Sequence, residues 1–286
     1  MRLGSILVLF SFLNVQLLAL IVGMAFLSLP IAEQPRITDN PADTMNSVYF
    51  FVQILVAAVL MLIILKFYKG KMLFRLLEFA LIFITMWTFI AILTKDDLLG
   101  ISAAAIACII RWRYLQSRNP FMLFASAVIG ALLGISLDII PAAVLAVLLA
   151  GYDFVAVFFT KHMIKLAEGL RERGAAFSIS FPSPEPAPRK VRKARPGEKT
   201  EEVIVRVRAE TVELGTGDLV IPALLVVSAL KISLGSAVAA LVGAFAGIAI
   251  LFYYIDRMKG YWPALPPIVG GTLVSLAAYT FLLRFL

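Results

Sequence analysis

The sequence predicts an all-α polytopic membrane protein of nine transmembrane helices, with a possible short β-ribbon in the loop between helices six and seven. Three observations carry that expectation. Hydrophobic residues make up 61% of the 286-residue chain and charged residues only 15%, too little polar surface for a water-soluble globule. Nine apolar stretches of helical length follow one another along the chain. Finally, 22 of the 26 Lys and Arg fall on one side of the membrane that those stretches define, and 4 on the other.

The spans are read near 5–30, 48–68, 74–93, 97–111, 120–137, 139–159, 217–233, 235–254 and 264–283. The first follows a basic start, and its apolar run of about 25 residues exceeds the core of a cleaved signal peptide, so it is expected to be retained. The fourth is short and ends at Arg111, Arg113 and the Arg118-Asn119-Pro120 breaker. Asp138 and Pro141 separate the fifth from the sixth in a tight hairpin, and Lys231 and Gly235 divide the seventh from the eighth. Without the long sixth loop, the charge split is still 10 to 4. Lys and Arg collect on the cytoplasmic side. The chain is therefore expected in the cell membrane with its N-terminus and loop 160–214 cytoplasmic and its C-terminus outside.

A net charge of +8 distributed in this way follows membrane topology and implies no nucleic-acid partner. Cys108 is the only cysteine, which excludes a disulfide and a cysteine-rich metal cluster. No cofactor is expected.

Three parts follow: residues 1–159, six helices; 160–214, a basic and partly disordered cytoplasmic loop; and 215–286, three helices. The loop's centre, FPSPEPAPRKVRKARPGEKTEE, is rich in Pro and Lys/Arg and disfavours packing. Phe177–Phe181 and Val203–Arg208 on either side alternate with period two, a strand signal. Val203–Arg208 is expected as an edge strand and Phe177–Phe181 as its partner.

Ionisable residues inside spans mark function by default. Asp153 lies eight residues before Lys161, roughly 12 Å below the cytoplasmic surface at helical rise. Asp218 opens the seventh span, which enters from the same side. Topology thus brings two carboxylates to similar depth on consecutive helices. Carboxylates that near cannot both ionise; one acts as base towards a water while its protonated partner polarises a carbonyl. Helix pairing, an ion site and a proton relay remain open beside catalysis at this point.

The surrounding residues narrow the choice. Asp218 ends Gly215-Thr216-Gly217-Asp218, where two glycines allow close backbone approach. Asp153 stands in Gly151-Tyr152-Asp153-Phe154-Val155-Ala156-Val157. The ninth span opens with Tyr261-Trp262-Pro263-Ala264-Leu265-Pro266-Pro267 on the same membrane face. YD, GxGD and PAL in this order resemble the presenilin and signal peptide peptidase family of intramembrane aspartyl proteases. Around Asp153 the similarity to presenilin extends to Lys161, Leu166 and Glu168. Val220-Ile221-Pro222 is more similar to signal peptide peptidase. The motif resemblance covers 139–168 and 211–270, and in compactness the chain resembles the archaeal homologues.

This resemblance implies a presenilin-like fold and an aspartic endopeptidase that cuts within transmembrane helices by an Asp dyad and a water. It makes Asp153 and Asp218 the catalytic pair, with Tyr152, Gly215, Gly217, Pro263, Ala264 and Leu265 shaping the site and no metal required. The charge split favours the presenilin orientation, hence type I substrates. A homo-oligomer is possible, and no obligatory accessory subunit is expected. Three alternatives stand beside it, one of them a catalytically silent membrane scaffold, in which Asp→Asn at either position would have no effect on function. A prepilin or preflagellin peptidase also has a GxGD aspartate, but usually with a Lys close behind it, where Leu219-Val220-Ile221 stand here. A proton-coupled transporter would use both Asp as carriers.

Overall fold

The computed structural model describes residues 3–68, 70–114, 118–159, 178–182, 211–255 and 262–283. Nine helices lie within them: α1 (Leu3–Leu27), α2 (Met45–Phe67), α3 (Met72–Thr94), α4 (Asp97–Arg113), α5 (Arg118–Ser136), α6 (Ile139–Phe158), α7 (Gly217–Leu230), α8 (Leu234–Ile255) and α9 (Leu265–Leu283). Each boundary falls within about three residues of its sequence expectation. Hydrophobic runs interrupted by Pro, Gly and charge leave little freedom in where a membrane helix stops.

Seven helices, all but α4 and α7, are long and apolar enough to cross a membrane. The 14 residues of α7 rise about 21 Å, less than a hydrocarbon core of about 30 Å. Strand β2 (Thr211–Gly215) leads into α7 through Thr216 and pairs antiparallel with β1 (Ser178–Pro182), Ser178 opposite Gly215 and Pro182 opposite Thr211. The ribbon packs against α1 and α5. Ile179 and Leu214 are buried, in the large apolar cluster that also takes in Val8, Phe12 and Phe26 of α1.

The β1 expectation is met within one residue, Phe177 itself lying outside the described residues. Val203–Arg208 also lies outside them, and the strand opposite β1 is β2, which the sequence reading missed. Thr211-Val212-Glu213-Leu214 does alternate. Its period was masked by the glycines that follow, which read as a turn.

Helix α7 forms the centre of the bundle, with α1, α5, α6, α8 and α9 packed around it. Leu219 and every residue from 221 to 229 are buried, as expected of a helix apolar on all faces. Lipid tails offer no hydrophobic drive between helices, so close packing must supply it. Small residues permit that approach. A Cβ at Gly134 of α5 would lie 2.8 Å from the Leu224 carbonyl, and one at Gly130 would lie 3.1 Å from the Val220 carbonyl. Gly243 and Gly247 of α8 meet the Gly271 and Pro267 carbonyls of α9 in the same way.

The outer helices are held more locally. Ser47 of α2 donates to the Pro141 carbonyl at 2.7 Å, and most of α2 beyond it faces outward. Helix α4 rests on α3, where Arg111 pairs with the buried Glu78 at 2.7 Å.

A side chain at Gly247 must displace the backbone at the start of α9. Gly247→Leu is expected to destabilise the fold by about 1–3 kcal/mol, as overpacked cores do. Gly270→Ala, where an added Cβ meets nothing, should leave the thermal midpoint in detergent unchanged. Equal midpoints for the two variants would contradict the close α8–α9 contact.

Candidate active site

The buried face of α6 runs Ala142, Leu145, Ala146, Leu149, Ala150, Asp153 and Ala156, an unbroken row at helical spacing. Asp153 occupies a core position of that row and is only 7% exposed. An isolated carboxylate at such a position would be strongly destabilising in an apolar surround. It is held instead by the start of α9. The Leu265 N–H donates to Asp153 Oδ2 at 3.2 Å, and the Ala264 N–H also acts on this carboxylate.

The local sequence explains why these two amides do it. In Pro263-Ala264-Leu265-Pro266-Pro267 three of the five residues are proline and carry no N–H. Ala264 and Leu265 supply the only two donors of the segment, at a helix N-terminus where donors lack helical acceptors. Asp153 thus serves α9 as a side-chain cap delivered from another helix. Pro263, Ala264 and Leu265 are all buried beside it. Trp262 meets Phe158 of α6 edge-on at 5.9 Å and fastens the approach to this turn.

Asp218 sits in the first turn of α7 and is partly buried. The Gly215 N–H donates to its carboxylate. A Cβ at Gly215 would stand 3.2 Å from Asp218 Oδ2, whereas one at Gly217, which is exposed, would meet nothing within 4 Å. The two glycines therefore differ in purpose. Gly215 leaves space for the aspartate itself, and Gly217 leaves an open flank beside it. Helices α6, α7 and α9 pack on one another, so Asp153 and Asp218 stand on neighbouring elements.

Each site residue expected from sequence falls in this neighbourhood. Tyr152 also reaches α2, where its ring meets Phe51 edge-on at 6.4 Å. Tyr261, His162 and Lys161 lie outside the described residues. One polar neighbour was not foreseen. Gln16 of α1 is fully buried and donates from Nε2 to the Leu219 carbonyl at 3.2 Å. Its signal was a lone amide on the buried face of an apolar segment. Among the described residues no group of three or more His, Cys, Asp and Glu side chains gathers to hold a metal.

The arrangement suits general acid–base work on a water, with two carboxylates on packed helices and each met by backbone donors. The signal-peptide peptidase, presenilin aspartyl protease family matches residues 9–283. The chain belongs to this family. It is an intramembrane-cleaving aspartic endopeptidase. Among solved structures, it is similar to a presenilin family intramembrane aspartate protease in a P2 space group, at 24% identity and TM-score 0.66, covering 98% of this chain and 97% of that one. A second, in a C222 space group, matches at 24% identity and TM-score 0.62, with 94% of each chain covered. No curated protein matches.

The two glycines yield separate outcomes in this protease. Gly217→Val is expected to fold with an unchanged thermal midpoint and to lose most turnover, since the new side chain fills the open flank. Gly215→Val presses on the carboxylate itself and should also weaken binding of an active-site inhibitor. Normal cleavage by Gly217→Val would show that the flank is not used.

Proposed function

We propose that Asp153 and Asp218 are the catalytic pair, and that the enzyme hydrolyses peptide bonds within single-span helices whose N-termini lie outside. The observation that carries this reading is the capture of the Asp153 carboxylate by the Ala264 and Leu265 amides. It brings YD, PAL and, through the Asp153–Asp218 interaction, GxGD to one point. One carboxylate takes a proton from water as the water oxygen attacks the scissile carbonyl carbon. Its protonated partner donates to the carbonyl oxygen. The resulting gem-diol collapses, the C–N bond breaks, and a proton passes to the departing amine.

The N-terminus and central loop are cytoplasmic in this reading, on the strength of the charge split, so the cut falls towards the cytoplasmic end of the substrate helix. That helix must unwind to expose its scissile amide, and unwinding frees donors and acceptors that cost several kcal/mol each in lipid. The β1–β2 ribbon directly precedes Asp218 and packs against α1 and α5. An open strand edge there can accept the unwound segment by β-augmentation.

Two measurements test the proposal. Asp153→Asn and Asp218→Asn should each abolish cleavage of a generic type I transmembrane peptide in detergent while the protein remains folded. An amide is neither a base nor a titratable acid. Wild-type activity should follow a bell-shaped pH profile whose limbs belong to the pair. Near-normal cleavage in either variant rules the pair out. Val212→Pro removes one donor from β2; it should cut peptide turnover sharply while a hydroxyl-bearing transition-state mimic still binds. Unchanged turnover would leave the ribbon as a tether only.

A further inference from the structure

The carboxylates sit on helices that the chain joins only through residues 159–216, a connection too long to set how far α6 and α7 slide past each other. Something else must hold that register. The glycine notches of α5 settle how near α7 lies to α5, but they do not reach α6. The direct polar link between α7 and the start of α6 lies at the far end of the bundle, about 20 Å of helix from the aspartates.

Asp138 is the N-cap residue of α6, yet its side chain makes no cap hydrogen bond. An N-cap aspartate ordinarily accepts from the helix's own first amides. Here the carboxylate turns away to Lys231, the residue after α7, with Nζ at 2.5 Å from Oδ1. The same ammonium donates to the Ile135 carbonyl at 3.1 Å and the Leu137 carbonyl at 3.3 Å, groups left open where α5 ends. Ser228, one turn earlier on α7, donates to the Leu137 carbonyl at 2.9 Å. The last turn of α7 therefore grips the α5–α6 corner at several polar points.

We infer that Lys231 and Asp138 are positioning residues that set the axial register of Asp218 against Asp153. Counting from the pair, Asp153 lies 15 residues along α6 and Asp218 lies 13 residues back along α7. Each of α6 and α7 runs as one helix from the corner to its carboxylate, so a shift at the corner moves both helices along their axes. A misplacement of about 1 Å at reacting groups is enough to lower a rate by about 100-fold. The inference rests on the proposed Asp153–Asp218 pair.

Lys231→Met, Asp138→Leu and the neutral double variant separate register from mere stability. Asp138 is 44% exposed, so Lys231→Met leaves its carboxylate in reach of water; Lys231 is only 17% exposed, but in Asp138→Leu its ammonium keeps the Ile135 and Leu137 carbonyls, so both should fold. With the transmembrane peptide, kcat is expected to fall about 10- to 100-fold in each single variant, with KM within about twofold. Lys231→Arg, which keeps the charge and the donors, should retain most of kcat. The decisive case is the double variant, which removes both charges together. If the pair only stabilises the fold, the double variant recovers its thermal midpoint and kcat together. If the pair sets register, kcat stays low whatever the midpoint does. Wild-type kcat in the single variants, or its return in the double variant, overturns the inference. Asp153→Asn and Asp218→Asn run alongside as controls. Should those two cleave normally, the underlying catalytic pair is wrong; should they be dead while Lys231→Met is unimpaired, only the register role fails.

Discussion

In hydrocarbon a backbone N–H that lacks an acceptor finds no water to replace it, at a cost of several kcal/mol. Helix N-termini expose such groups by construction, and a bundle that starts a helix inside itself has to satisfy them. Here α9 begins among α6 and α7 with two amides between prolines, and the group that meets them is Asp153. A buried carboxylate needs donors, and a buried helix start needs an acceptor. Each removes the other's penalty, so the aspartate, the PAL turn and the packing of α6 on α9 form one unit.

The same constraint shapes the other half of the site. Asp218 stands where β2 ends and α7 begins. Irregular backbone is tolerated at membrane depth only where protein covers it. The ribbon meets that condition by pairing β1 with β2 and by pressing Ile179 and Leu214 into the cluster around Phe12. A short α7 and an embedded ribbon are thus two aspects of one arrangement.

The spans were legible in sequence because the bilayer imposes their length and composition, with few ways to misread a run such as that of α6. The carboxylates were legible for the complementary reason: an Asp on the buried stripe of such a helix is conspicuous. What sequence did not show is pairing. Nothing in the order of residues tells that Asp138 turns from its own helix to Lys231, or that Arg111 reaches Glu78 across 33 positions. Those contacts depend on which helices become neighbours. Strand β2 escaped for a local reason, since five residues ending in glycine carry too short a period to separate from a turn.

Gln16 and Pro222 show how the fold treats the turn that carries Asp218. Pro222 has no N–H, so the Asp218 carbonyl four residues earlier loses its helical partner. The next carbonyl, that of Leu219, receives the Gln16 side chain from α1. Gln16 is itself imperfectly satisfied, its Oε1 being buried with no hydrogen-bond partner. An apolar residue at position 16 and an ordinary helix former at position 222 would each make a more regular core. Local rules broken side by side at one turn of an otherwise consistent bundle are characteristic of a functional site. The first turn of α7 is therefore held by neighbouring helices more than by its own hydrogen bonds, and its position follows the bundle around it. That dependence explains why contacts as remote as the α5–α6 corner bear on Asp218.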